Sequence, residues 1–154
     1  ITGALYYGDK NSGAWKEENA KAVASKAKRI TVSPVSFESE LTVVGSRRHG
    51  AEALEAMLKN IQSKFTSINL VSMGSSLKIC AIAEGTAHWY PRLALTSEWD
   101  TAAAQAVLCA AGGSIMDIEL KPLTYNQKAD ILNPYFHAVG DSNFDWKELI
   151  QASN

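Results

Sequence analysis

Ser97-Glu98-Trp99-Asp100, followed by an alanine-rich run to Ala111-Gly112-Gly113, constrains the fold of this chain more than any other stretch. Trp99, Ala102, Ala103, Ala106, Val107 and Ala110 recur at the spacing of one helical face, which predicts a helix buried along that face. Ser97 stands three residues before Asp100, the form of a capping box, and Gly112-Gly113 closes the helix where a left-handed residue is wanted. Asp100 therefore falls in the first turn. A carboxylate there complements the helix dipole, worth about 0.3–1 kcal/mol.

Several function classes are excluded by composition. At 154 residues the chain can bury a real core. Its net charge of -1 offers no field for gripping nucleic acid or an anionic membrane. No run approaches the ~20 apolar residues of a membrane span, and the N-terminus carries no signal-peptide pattern. Cys80 and Cys109 lie among apolar residues on predicted helices and read as buried reduced thiols, the pattern of a cytoplasmic protein. The chain opens at Ile1 on an apolar run without an initiator Met, which reads as part of something longer.

In chain order, Tyr6, Tyr7 and Trp15 flank the turn Gly8-Asp9-Lys10-Asn11-Ser12-Gly13 as a hairpin that needs a sheet to join. Lys16–Arg29 reads as a loop into a strand at about 29–32, and a second strand follows at 41–44. Ser46-Arg47-Arg48-His49-Gly50 is then a turn at a strand's C-terminal end, a common place for ligand contacts in α/β sheets. It leads into a helix with Leu54, Met57, Leu58, Ile61 and Phe65 on one face. After a short strand at 68–72 come Met73-Gly74-Ser75-Ser76 and a helix of about ten residues with Leu77, Cys80, Ala81 and Glu84 on one side. Gly74 is expected to turn the backbone and Ser75 to cap, leaving free N–H groups as an anion site with Lys78 beside it. The run 88–92 reads as a strand with Pro91 at an edge or exit position. Strands at 114–118 and 135–139 and a helix at 145–151 complete the chain.

The ordered set Gly74-Ser75-Ser76-Leu77-Lys78, Ala83-Glu84-Gly85, Tyr90-Pro91-Arg92 and Trp99-Asp100-Thr101-Ala102-Ala103 resembles the CysQ-type 3'(2'),5'-bisphosphate nucleotidases of the inositol monophosphatase superfamily. The resemblance implies an α/β fold in which a mixed β-sheet is flanked by helices. It covers nearly the whole chain but only the later part of the family's longer one. It thus implies residues 1–38 as the last strands of an N-terminal domain and 39–154 as a C-terminal, substrate-binding domain. It also implies that Asp100 is a Mg2+ ligand, with lithium inhibition, and that His49, Gly74, Ser75, Ser76, Lys78 and Arg92 contact substrate. The family's Asp-Pro-x-Asp-Gly-Thr metal motif does not occur in this sequence. The main catalytic carboxylates, and a missing N-terminal segment as partner, are therefore expected upstream.

Lys78 and Arg92, where an inositol monophosphatase usually has no Lys and a Glu, suit a substrate with a second phosphate. The expected reaction removes the 3'-phosphate of adenosine 3',5'-bisphosphate in the cytoplasm or peripherally at the inner membrane. The alternatives are a non-catalytic nucleotide-phosphate binding module or inactive copy, and an inositol monophosphatase-like sugar phosphatase. Three positions depart from the family pattern: Ala104 for a Gly, Ala94-Leu95 for Gly-Pro, and Leu120 for a turn Gly.

Overall fold

A computed structural model describes residues 3–21, 26–46 and 50–153. The hairpin forms as β1 (Leu5–Asp9) and β2 (Gly13–Glu17), and β3 (Lys28–Ile30) adds antiparallel to β2, giving a three-stranded sheet. Residues 31–39 lead to a second sheet of β4 (Glu40–Gly45), β5 (Ser67–Ser72), β6 (Trp89–Arg92), β7 (Ser114–Asp117) and β8 (Phe136–Val139), in the order β5-β4-β6-β8-β7. β5 and β6 run parallel to β4; β8 is antiparallel to both β6 and β7, so the sheet is mixed.

Period-two alternation divides this sheet's side chains between two cores. Leu41, Val43, Trp89 and Val139 pack with Leu54, Met57 and Ile61 of α1 (Ala51–Ile61) and Leu149 and Ile150 of α4 (Trp146–Ser153). Val44, Tyr90, Phe136 and Ala138 face Ile79 and Ile82 of α2 (Leu77–Ala83) and Val107 and Leu108 of α3 (Glu98–Ala110). β4 is buried on both faces, hence its nearly continuous apolar run. Leu108 is fully buried, so Leu108→Ala would cost about 2–5 kcal/mol. α3 also touches β1 and β2, which places α2 and α3 between the two sheets. Lys16 and Tyr6 of the small sheet both reach Glu84 Oε2 at the end of α2, at 2.7 and 2.9 Å. Among the described residues no helix is long and apolar enough to cross a membrane.

Four expectations need correction. The buried face of α3 is Thr101, Ala104, Val107 and Leu108, not the stripe from Trp99 to Ala110; Trp99 is 70% exposed, and Ala103 and Ala106 are exposed. A helix of small residues is nearly as apolar on one side as on another, so its neighbours select the face. Cys109 is exposed for the same reason, whereas Cys80 is buried. Pro91 lies on the middle strand, so of the edge or exit position expected only the exit applies, Pro91 being the last residue but one of β6. It is tolerated because β4 reaches β6 only at Val43–Trp89, so Pro91 is paired with β8 alone. α2 is seven residues long, and Leu77 is exposed rather than packed beside Cys80 and Ala81.

The two glycines after α3 serve different needs. Gly112 takes the left-handed φ of 102°, while a Cβ on Gly113 would lie 2.5 Å from the Val139 carbonyl oxygen. Leu120 adopts a left-handed φ of 65° that costs a non-glycine residue roughly 1–2 kcal/mol.

Candidate substrate pocket

β6 and the ends of α2 and α3 enclose a pocket of about 250 Å³. Gly74, Ser75, Ser76, Lys78 and Ile79 from the α2 start, Thr96, Asp100 and Thr101 from the α3 start, and Tyr90, Arg92, Phe136 and Ser46 line it. Six of the seven residues singled out in the sequence are thus brought together. The seventh, His49, lies outside the described residues.

The loop before α2 is built differently from its expected form. Ser75 itself holds a left-handed φ of 57°, while a Cβ on Gly74 would meet nothing within 4 Å, so Gly74 is not needed for the turn. Ser76, not Ser75, stands at the N-cap, and its side chain makes no cap hydrogen bond. With a seven-residue helix behind it, this loop owes its anion character chiefly to charged side chains rather than to the backbone dipole.

Those side chains are Lys78 and Arg92. Lys78 is 4% exposed; its Nζ donates to the Ser75 carbonyl at 3.2 Å and stands 5.0 Å from the centre of the Tyr90 ring. Burial, and then the Arg92 charge, push the Lys78 ammonium below its ordinary pKa. Arg92 donates from Nη2 to the Leu95 carbonyl at 3.0 Å, and its buried Nε has no hydrogen-bond partner among the described residues. Burial raises the Tyr90 hydroxyl, an effect partly offset by the charge and hydrogen bond of Arg92. Among the described residues no carboxylate forms an ion pair with either cation. Two cations side by side, one of them with an unpaired buried donor, leave a demand for negative charge that a phosphate group meets.

Asp100 is the pocket's carboxylate. Its Oδ2 accepts the Ser97 N–H at 2.9 Å, the return bond of a capping box that orients the side chain at the start of α3. Among the described residues no group of three His, Cys, Asp or Glu is placed to hold a metal ion, so Asp100 is not a magnesium site by itself.

Sequence reasoning missed Thr96, Thr101, Tyr90 and Phe136 as lining residues, and Asn133 behind them. Asn133 Nδ2 donates to Ser97 O, Thr101 Oγ1 and Thr96 Oγ1 at 2.9, 3.0 and 3.1 Å. Its position just before Pro134 was the only local signal, and that reads as a strand entry.

A mixed sheet flanked by helices, with a pocket at the starts of α2 and α3, defines an α/β domain. The chain belongs to the inositol monophosphatase family, whose model matches residues 1–146. It is 34% identical over 152 residues to the 3'(2'),5'-bisphosphate nucleotidase CysQ of Haemophilus influenzae, a match covering 98% of this chain and 53% of that protein. Identity to the CysQ nucleotidase of Escherichia coli K12 is 39% over 132 residues, covering 86% of this chain and 49% of the other. The crystal structure of CysQ from Bacteroides thetaiotaomicron superposes with a TM-score of 0.76 at 34% identity, over 89% of this chain and 54% of that one. The chain therefore spans about half the length of the relatives it matches.

Proposed function

We propose that this chain is the substrate-binding part of a magnesium-dependent phosphomonoesterase that converts adenosine 3',5'-bisphosphate to AMP and phosphate in the cytoplasm. The observation that carries the reading is the Lys78–Arg92 pair, Lys78 buried and Arg92 half-buried, lining one pocket with Asp100 and without a carboxylate counter-ion among the described residues. The CysQ names of the relatives favour the same substrate. Lys78 and Arg92 neutralise phosphate oxygens, the hydroxyls of Ser75 and Thr96 donate to the remaining ones, and Tyr90 and Phe136 form an apolar wall. Asp100 contributes one metal ligand. The other carboxylates come from polypeptide outside this sequence, which also covers the exposed Trp99–Ala103–Ala106 face of α3, so the 154-residue chain alone is inactive.

Isothermal titration of adenosine 3',5'-bisphosphate into the chain tests the reading. Lys78→Ala and Arg92→Ala are each expected to weaken binding about tenfold or more, the loss of one charge-assisted hydrogen bond. Variants that bind as well as the unaltered chain would overturn it. With the upstream half added, magnesium-dependent and lithium-sensitive phosphate release is expected. Binding without release would mark a binding module or inactive copy, and preference for an inositol monophosphate a sugar phosphatase.

A further inference from the structure

Residues 118–135 join β7 to β8 without any helix or strand; only isolated bridges, Met116–Pro122 and Ser97–Leu132, punctuate them. So long an irregular stretch within a compact domain is usually functional, and this one is fastened to the start of α3. Asn126 N–H donates to Glu98 Oε2 at 2.8 Å, and the Glu98 N–H donates to the Ile131 carbonyl at 2.8 Å. Lys128 Nζ lies 3.6 Å from Glu98 Oε1 and donates to the carbonyls of Asp130 and Leu132 at 2.5 Å.

Asn133 is the centre of this attachment. It is 2% exposed, its N–H donates to the Thr96 carbonyl at 2.7 Å, and its Nδ2 meets Thr96, Ser97 and Thr101 as described above. The Ser97 carbonyl can only accept, which fixes the Nδ2 end of the carboxamide toward it. The Oδ1 end is buried and has no hydrogen-bond partner among the described residues. A residue present only to fill space would avoid burying that oxygen, as Leu or Met does. The donor end is what the site uses: two of its acceptors, Thr96 and Thr101, line the pocket, and the third is the cap residue whose N–H holds Asp100.

We propose that Asn133 is a positioning residue of the pocket. Through Thr96, Ser97 and Thr101 it fixes the wall that carries Asp100, in the pocket that Lys78 and Arg92 also line. It contacts no ligand itself. The assignment of this wall to a substrate rests on the function proposed above, whereas the clamp itself does not.

Amide hydrogen exchange of the full chain without ligand, resolved by residue, reads the clamp directly. In Asn133→Ala the amides of Glu98 and Asp100 are expected to exchange about tenfold faster while those of β4 and β8 keep their rates, a local rather than global opening. Thr101→Val, which removes one acceptor and keeps the shape, gives a smaller change of the same pattern and serves if Asn133→Ala does not fold. Adenosine 3',5'-bisphosphate is expected to bind Asn133→Ala about tenfold more weakly. Lys78→Ala weakens binding too, but leaves the Glu98 and Asp100 exchange rates as they are. Unchanged exchange at Glu98 and Asp100 in both clamp variants overturns the proposal, as does full-strength binding alongside faster exchange. An unaltered chain that does not bind the bisphosphate refutes the functional reading instead, and the exchange comparison still decides the clamp.

Discussion

Lys78 places its ammonium 5.0 Å from the centre of the Tyr90 ring and donates to the Ser75 carbonyl at 3.2 Å. A buried cation with a ring face and a carbonyl for company is stabilised less than it was in water. Burying that charge costs the fold stability rather than adding to it.

Lys78→Met should therefore stabilise the chain while weakening anion binding. Because the folded-state pKa is lowered from 10.5, the charged form favours the unfolded chain at every pH below that lowered value. The penalty fades as pH rises toward 10.5. At pH 7 the variant is expected to melt about 2–4 °C higher, consistent with roughly 1 kcal/mol, and the gap should narrow in alkaline buffer. A lower melting temperature at pH 7 would count against a desolvated cation.

Asp100→Asn separates the two uses of that side chain. An amide oxygen still accepts the Ser97 N–H, so the chain should lose less than about 1 kcal/mol, mainly the interaction with the helix dipole. Phosphate release by the complete enzyme should fall by orders of magnitude. Chemical denaturation and a phosphate-release assay measure the two effects; near-normal turnover would remove Asp100 from the site.

His137 is buried against Trp89, whose indole N–H donates to its Nδ1 at 3.2 Å, and burial lowers its pKa from 6.5 to about 4. Protonation therefore favours the unfolded chain. Stability should be intact above pH 6.5 and decline as pH falls toward 4, by about 3 kcal/mol in total. His88, whose Nδ1 accepts the Thr42 N–H at 2.9 Å and whose pKa is also lowered by burial, adds in the same direction. Urea unfolding between pH 7 and 4 follows the loss. His137→Gln, which retains an acceptor for Trp89, should flatten the profile, and an unchanged slope would exclude His137 as its source.

Ala103→Glu tests the second apolar face of α3. Ala103 is exposed, so the chain alone should change by less than about 0.5 kcal/mol. Association with the upstream half, and the phosphate release that depends on it, should be lost. Co-purification of the two halves decides the matter, and undiminished association would place the contact elsewhere.

Much was legible in the sequence because its signals are local. The Gly8–Gly13 turn, the Ser97–Asp100 cap, Gly112 at the left-handed position and the strand order along the chain each depend on residues a few positions apart, and all formed as read. Gly74, Ser75, Ser76, Lys78, Arg92 and Asp100 of the pocket were recognisable from their ordered motifs, whereas Thr96 and Phe136 join them only in space. What only the tertiary structure decided involves choices between locally equivalent options. α3 is small and apolar nearly all round, so the neighbouring sheets, not its own pattern, selected Ala104 and Leu108 over Trp99 and Ala106. β6 became the middle strand through its pairing with β8, from far along the chain, and Asn133 became a clamp because folding placed it beside a helix start 32 to 37 residues away. Such contacts arise only when the chain closes on itself, so no short window of sequence contains them.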